Sequence, residues 1–580
     1  MSADPENEYF SDGITEEIIN ALTKVHGLKV TARTSSFAFK NKNIDIRNIG
    51  QQLGVSTVLE GSVRRAQNNI RITAQLIQTD NGFHLWSKNF DRELKDIFAL
   101  QDEISLLIAD QIRENFGHLE IQEHLINAPT QNIEAYNLYL KGRYNHLKWN
   151  AEGIAKGIDY YKQCIEQDPS FALPYFGIGY SYAMRASFRA NVDDQKIAEN
   201  YLKKGFQIDD KSYLGFYARA TLDFWAKWNF KNAHWFYKKA IELNPSFTEA
   251  EEGLVEMHTI LGNFKEAIKH TNNILTLNPL SPNHYYTKGN IHYLSREYPE
   301  ALESLEAALR IDPGFSFAIE LSLLCYIHLK DYKKLQIFIQ KYPAQRPDDC
   351  RALYKLIHPD ESIDIDLSTI RSMLEVAPIY TLIPWHLYLQ VYLGHHQLAL
   401  DILEKAVKNR TGQFAGFKFL PLLEPLRTYD RYQQLVEATF PDDKLPDEED
   451  EKPSGLGSSK SLLSPQEIAQ YLSATVELLE KEELYLDPAL SLKSLADDLG
   501  LHPNKLSWLL NEHIGKNFNE YINSYRLEAF KIKALESANS HLTLLGLAYE
   551  SGFNSKTVFN TFFKKMEGVT PKAWVKSQKG

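Results

Sequence analysis

The rhythm of apolar and polar positions changes several times along the 580-residue chain. Up to residue 118, helical and extended rhythms alternate. Ile14, Ile18, Ile19 and Leu22 recur at the spacing of one helix face, with Asp12 as the expected cap. Leu28 to Arg33 reads as a short strand, and Asp45 as the cap of a second helix carrying Ile46, Ile49 and Leu53. Val58 to Arg64 and Ile70 to Ile77 read as two strands of a hairpin that turns at Gln67, Asn68 and Asn69. A third strand is expected near Leu85 and Trp86, after the hairpin dipeptide Asn81-Gly82, followed by a helix from Ile97 to Ile112.

From about Asn132 to Pro343 the pattern is purely helical, and its punctuation is periodic. Asp168-Pro169, Asp209-Asp210, Asn244-Pro245, Asn278-Pro279 and Asp312-Pro313 close successive units, with spacings of 41, 35, 34 and 34. Small residues recur where two helices must approach closely: Gly289, Ala301 and Ala308 with Tyr285 in one unit, Ala233 and Ala240 with Tyr217 and Tyr237 in another, and Gly142 and Gly157 near the front. The pattern resembles the tetratricopeptide repeat, with five units over 132–345. Such helix pairs stack into a superhelix whose concave face is a peptide groove, so a peptide or protein partner is expected there. The many Tyr and Phe are expected to fill the core between repeats. Residues 346–440 stay helical without the period and read as a degenerate cap, with a helix pair at Trp385 to Leu403 around Gly394 and an ending at Phe419 to Leu435. Residues 441–461 are acidic and rich in Pro, Gly and Ser, the composition of a disordered linker.

At the front, the runs Ser11-Asp12-Gly13-Ile14-Thr15-Glu16-Glu17, Leu59-Glu60-Gly61-Ser62-Val63-Arg64 and Leu85-Trp86-Ser87 resemble the small α/β domain that opens TolB-related and cyclase-associated repeat proteins. Such proteins place an apolar strand before the run found here as Asp4-Pro5-Glu6-Asn7. The resemblance therefore implies a first strand upstream of Met1 in the natural protein.

In the last segment, 462–580, two helix-turn-helix units can be read. In the first, Leu495, Ala496 and Leu499 face inward, Gly500 makes the turn, and Pro503 opens a helix with Leu506, Leu509 and Leu510 inward. Asn504, Lys505, Ser507, Trp508 and Asn511 are then expected outward, and amides and hydroxyls on an exposed helix are the groups that read base edges. In the second, Leu545 and Ala548 lie on the supporting helix and Gly552-Phe553 forms the turn. Asn554 or Ser555 caps a helix with Val558, Phe559, Phe562 and Phe563 inward, which leaves Lys556, Thr557, Asn560, Thr561 and Lys564 outward. Between the units, Asn519 to Glu536 lacks Gly and Pro and reads as one helix. At 1.5 Å per residue, about 18 residues span roughly 27 Å, close to the ~34 Å between major-groove openings on one face of a duplex.

The run Gly552-Phe553-Asn554-Ser555, with Phe559, Phe563-Lys564-Lys565, Gly568 and Thr570-Pro571, resembles the signature of the AraC/XylS family. Leu506-Ser507, Gly515, Phe518, Tyr521-Ile522-Asn523 and Arg526 resemble that family's first unit and linking helix. The resemblance implies sequence-specific binding to double-stranded promoter DNA, with the second helix of each unit in the major groove. Asn504, Ser507, Trp508 and Asn511, then Lys556, Thr557, Asn560 and Thr561, are the base-facing positions it implies. Lys505, Ser555 and Lys564 complete the candidate DNA-binding set. Trp508 stands where relatives often carry Arg, which points to contact with thymine methyls, and Val575 replaces a common Arg. RNA polymerase and a second copy of the chain are further candidate partners.

Charge changes this picture only locally. The chain carries a formal charge of -11, yet Leu501 to Gly580 holds about 11 Lys and Arg against about 6 Asp and Glu. The three cysteines, Cys164, Cys325 and Cys350, lack metal or redox spacing, the sequence has no 18-residue apolar run, and residues 1–10 lack the marks of a signal peptide, so a reducing cytoplasm is expected. No Gly-rich phosphate loop, zinc-protease pair or nucleophile elbow occurs, and the histidines, including His395-His396, have no metal-ligand spacing. The expectation is a mainly α multidomain chain that is not an enzyme and needs no cofactor or metal: a transcription regulator, with a repeat scaffold lacking specific DNA binding as the alternative.

Overall fold

The computed structural model describes residues 8–579 apart from 26, 67, 118, 127, 149, 190–191, 343, 345, 362, 364–382, 441–462 and 540. The expected linker at 441–461 thus lies outside the described residues. Two compact units emerge. One takes in the described residues within 1–23, 29–97 and 128–451, the other those within 24–28, 98–127 and 452–580.

The first unit opens with helices α1 (Glu8–Thr23), α2 (Arg33–Phe37) and α3 (Ile46–Leu53), followed by a three-stranded antiparallel sheet, β1 (Thr57–Ala66), β2 (Asn69–Gln78) and β3 (His84–Glu93), in the order β1-β2-β3. The hairpin register runs from Thr57 opposite Gln78 to Ala66 opposite Asn69. Alternation along β2 buries Ile70, Ile72, Ala74 and Leu76 on one face. Asp45 caps α3 by accepting from the Arg47 amide (2.8 Å), as the sequence indicates. Two expectations fail here. Residues 28–32 form no strand, because a strand needs a neighbouring edge, and the Ala32 amide instead donates to the Leu277 carbonyl (2.8 Å). Asp12 is no cap. It lies inside α1, where its carboxylate accepts from Lys40 Nζ (2.6 Å).

The described residues of 133–341 form six consecutive helix pairs. They are α5 (Ile133–His146) with α6 (Ala151–Gln167), α7 (Ala172–Arg189) with α8 (Val192–Ile208), and α9 (Tyr213–Thr221) with α10 (Phe230–Leu243). Then come α11 (Thr248–Ile260) with α12 (Phe264–Leu277), α13 (Pro282–Leu294) with α14 (Tyr298–Ile311), and α15 (Ser316–His328) with α16 (Tyr332–Lys341). The punctuation marked five; the sixth pair ends on Tyr342-Pro343 and so escapes an Asp/Asn count. The closers work as short side-chain turns. Asp168, Asp209, Asn244 and Asp312 each accept, through Oδ1, the amide two residues on, at 2.9, 3.0, 3.3 and 2.9 Å.

The small residues do what their spacing implies. Ala233, Ala240, Ala301 and Ala308 are fully buried, and a β-carbon on Gly142 would lie 2.6 Å from the Tyr161 ring. Tyr136, Tyr237 and Tyr293 are among the largest fully buried side chains, so these aromatics are core. After the repeats come α17 (Pro347–Ile357), α18 (Trp385–Tyr392), α19 (His396–Lys408), short 3-10 turns and α20 (Asp430–Thr439). Gly394 makes the turn between α18 and α19 at φ +82°.

The opening helix is tied to the first repeat by a buried ion pair. Glu16 accepts from Arg143 Nε (2.7 Å), and Arg33 Nε lies 3.5 Å from its other oxygen. Burial pushes the Glu16 carboxyl up, yet the two guanidinium groups hold it below the ordinary carboxylate range. A carboxyl held low contributes stability above its unfolded pKa and loses it as pH falls through the folded value. Arg143→Met leaves Glu16 only the longer contact with Arg33 and should cost about 3 kcal/mol near neutral pH, the low end for a broken buried pair because Arg143 is partly exposed. Thermal melts as a function of pH check this: the gap to the parent should narrow on acidification.

Candidate nucleic-acid interface

The second unit holds α4 (Ile97–Phe116) and the C-terminal helices α21 (Pro465–Glu480), α22 (Leu492–Asp498), α23 (Pro503–Leu509), α24 (Phe518–Leu535), α25 (Leu544–Glu550), α26 (Lys556–Glu567) and α27 (Pro571–Lys579). The sequence reading assigned α4 to the front domain; from Phe98 onward it belongs with the C-terminal end. The physical reason lies in its polar last turn, whose side chains bond to α22 and α24.

The first helix-turn-helix pairs α22 with α23. Ser491 caps α22 by accepting from the Ser494 amide (3.1 Å), Gly500 turns the chain at φ +64°, and His502 Nδ1 accepts from the Asn504 amide (3.2 Å) at the start of α23. Leu492, Leu495, Ala496, Leu506, Leu509 and Leu510 share a core with Phe518 and Ile522. One wide π-turn, Leu510–Ile514, carries α23 to Gly515.

The second pairs α25 with α26. Thr543 caps α25, accepting from the Gly546 amide (3.0 Å), and Ser555 caps α26, accepting from the Val558 amide (3.1 Å). Leu547, Ala548, Phe553, Phe559, Phe562 and Phe563 share a core with Leu527, Phe530 and Ala534. α24 therefore gives its first half to one core and its second half to the other.

At the middle of α24 stands Arg526, 5% exposed. Its Nε donates to the Tyr485 carbonyl (2.7 Å), Nη2 to the Asp487 carbonyl (2.7 Å) and Nη1 to Asn523 Oδ1 (3.3 Å). Burial brings its pKa down to about 10. Gly552, the turn of the second unit at φ +91°, packs on the same strip of backbone: a β-carbon there would lie 2.2 Å from the Tyr485 carbonyl oxygen. One guanidinium and one glycine thus join the two units across residues 485–487.

The second helices of the two units, α23 and α26, differ sharply. On α26, Lys556, Thr557, Thr561 and Lys564 are exposed and Asn560 is half-buried, while Phe559, Phe562 and Phe563 hold the opposite face. Lys565 is engaged by Glu520 (2.6 Å), whereas Lys556 and Lys564 make no ion pair among the described residues. Val558, expected inward, is 41% exposed, because Phe559 takes the core position beside it.

On α23 the outward set is largely covered. Ser507 and Trp508 are buried, a correction to the reading that put them on the surface. The indole joins the core of the first unit, where its apolar area is better satisfied than in water. Its ring packs edge-on against His513, and its Nε1 has no partner among the described residues. Lys505 is half-buried. Asn511 Nδ2 donates to the Ser507 carbonyl (2.8 Å).

The side chain of Asn504 is engaged by the last turn of α4 and by Ile121 beyond it. Its Oδ1 accepts from Arg113 Nη1 (2.5 Å) and the Ile121 amide (3.3 Å), and its Nδ2 donates to the Ile121 carbonyl (3.0 Å). Glu114 accepts from the Leu492 amide (3.0 Å), and Asn115 accepts from Asn517 and Asn519 (3.1 Å each). Arg113, Glu114, Asn115 and Ile121 were not among the residues read from sequence; at 391 and 383 residues from Asn504, nothing in local spacing marks them.

A helix-turn-helix domain model matches residues 495–577, and a tetratricopeptide repeat model matches residues 285–315. A stretch of 172 residues is 46% identical to a protein of Rhizobium meliloti (strain 1021) named for adenylate cyclase, covering 30% of this chain and 29% of that one. A further 171-residue match is 23% identical to a TPR repeat-containing protein of Methanocaldococcus jannaschii, covering 28% and 30%. The chain spans less than a third of the length of either relative. The solved structure of YrrB, a TPR protein with an unusual peptide-binding site, is 22% identical and is covered over 97% of its length and 33% of this chain, with a TM-score of 0.23, too low to carry an argument. The chain thus carries tetratricopeptide repeats and a C-terminal helix-turn-helix domain of the AraC type. No described helix is long and apolar enough to cross a membrane.

Gly552→Ala should be among the most damaging single changes in this unit, since it meets both a forbidding φ and a backbone oxygen. We expect a loss of about 2 kcal/mol or more. Arg526→Lys should not rescue an Arg526→Met loss, because an ammonium cannot span three acceptors. Urea melts of the three variants, followed by near-ultraviolet circular dichroism, check both expectations.

Proposed function

We propose that this chain is a sequence-specific DNA-binding transcription regulator of the cytoplasm, with a repeat arm that takes a peptide or protein partner. The observation that carries the reading is the face of α26. Lys556, Thr557, Asn560, Thr561 and Lys564 point away from a phenylalanine core that holds the helix rigidly. Hydroxyls and an amide on such a face suit base edges, and the flanking lysines suit phosphates. Ser555, as the cap, orients the start of the helix toward the same surface.

Promoter DNA is the partner this supports best; RNA polymerase and a second copy of the chain are further partners of such a regulator. The front segment, Glu8 to Glu93, we read as TolB-related from the runs quoted above. Catalysis is not part of the proposal, nor is any cofactor or metal. Cyclase activity is not carried over from the Rhizobium relative, because the match covers 29% of that protein.

Selection of duplexes from a random pool by the full chain tests the reading. A recovered consensus is the expected result, and a pool without sequence preference would instead leave a repeat scaffold with an inert helical end. Asn560→Ala should then relax the consensus at one position, at a cost of about 1 to 3 kcal/mol for the lost base contact. Lys564→Ala should weaken all duplexes alike and make the salt dependence shallower by about one unit of slope.

A further inference from the structure

The two readers are unequal in a way that the signature of the domain does not announce. One is open, and the other is bonded by a segment nearly four hundred residues away in sequence. The described residues of that segment, Arg113 to Gly117 and 119 to 121, meet the first helix-turn-helix at Leu492, Asn504, Asn517 and Asn519.

The contact at Asn504 has a specific chemistry. An asparagine amide reads adenine by accepting from one exocyclic N–H and donating to one ring nitrogen. Ile121 supplies the same pair from its backbone: its N–H donates to Asn504 Oδ1 (3.3 Å), and its C=O accepts from Asn504 Nδ2 (3.0 Å). Arg113 adds a charged donor to the same oxygen (2.5 Å). Gly117 passes beside Asn511, and a β-carbon on it would come within 3.3 Å of Asn511 Oδ1. Two of the amides expected to meet bases are therefore faced by protein. Glu114 brings a carboxylate against a domain whose last 80 residues carry an excess of about five positive charges, where a nucleic acid would bring phosphates.

We infer that residues Arg113 to Ile121 form a built-in mask of the first reader, so that the folded chain offers DNA only α26 until this segment is displaced. The inference rests on the DNA-binding reading given above. The bonds that hold the mask are those water or a duplex can replace, which suits a contact made to be exchanged: six of the side chains involved, Arg113, Glu114, Asn115, Asn504, Asn517 and Asn519, are Arg, Glu or Asn. The buried indole N–H of Trp508, which finds no partner among the described residues, marks the same reader as unfulfilled in this state.

The test compares three forms of the full chain by footprinting on duplexes from the selection. The first is the parent. The second carries Arg113→Ala, Glu114→Ala and Asn115→Ala, which loosens the mask without touching the reader. The third carries Asn115→Cys and Asn519→Cys joined by a short bismaleimide; Cys164, Cys325 and Cys350 are buried and should not compete. The expected result is protection of one half-site by the parent and the stapled form. The loosened form should protect two half-sites about one helical turn apart, with affinity raised about tenfold or more, the value of one regained base contact. Hydrogen exchange shows whether the loosened form is folded with its mask released: amides 113–117 and 119–121 should exchange faster than in the parent, while those of α24 and α26 stay as protected as in the parent. Equal two-site footprints for all three forms would overturn the mask alone, as would a single half-site for all three with unchanged exchange. Binding of no duplex by any form would overturn the DNA-binding reading together with the mask.

Discussion

Three hydrogen bonds from one buried guanidinium set the geometry on which the C-terminal unit depends. Arg526 sits at the middle of the helix that two hydrophobic cores share and fastens that helix to the backbone at Tyr485 and Asp487. Gly552 brings the second turn against the same backbone at a distance no side chain tolerates. Two helix-turn-helix units joined by a helix alone could rotate about its axis. Anchoring both to residues 485–487 removes that freedom, so the separation of the readers becomes a property of the fold. The cost of burying the charge is offset because every donor used meets a carbonyl or an amide oxygen.

Against this rigid frame, the difference between α23 and α26 is a difference of surface chemistry and of neighbours. α26 keeps a polar stripe in solvent because three phenylalanines satisfy its other side. α23 buries four consecutive residues, Leu506 to Leu509, and its leading asparagine is paired with the backbone of Ile121. An asparagine amide already satisfied by protein must exchange one set of hydrogen bonds for another before it can meet any other partner, and such exchanges have small net free energies. Small differences are what a partner binding elsewhere could tip.

The repeat arm shows how much a stacked architecture owes to small features repeated faithfully. The closers Asp168, Asp209, Asn244 and Asp312 fold back on the amide two residues later, and Gly142 and Gly253 let the rings of Tyr161 and Tyr237 lie directly on their helices. The opening segment uses the same closers as docking points: Thr23 donates to Asn244 Oδ1 (3.1 Å) and Ser35 to Asn278 Oδ1 (2.5 Å). Side chains that end one repeat thereby also anchor the front of the chain, alongside the Glu16 and Arg143 pair.

What could be read from the chain alone was whatever is encoded locally. Helix faces, hairpin alternation, the 34-residue punctuation and the turn-and-cap residues Gly500, Pro503, Gly552 and Ser555 all act on neighbours within a few positions, so their spacing reveals them. The exposed face of α26 followed from the same logic. Strand Leu28 to Arg33 failed because a strand exists only if an edge awaits it, and Asp12 because a longer helix overtook its capping role. The burial of Trp508, the pairing of Asn504 with Ile121 and the allegiance of α4 to the far end of the chain were decided by tertiary structure. Each depends on groups hundreds of residues apart competing with water for the same hydrogen bonds and apolar area, and no local pattern records the outcome of that competition.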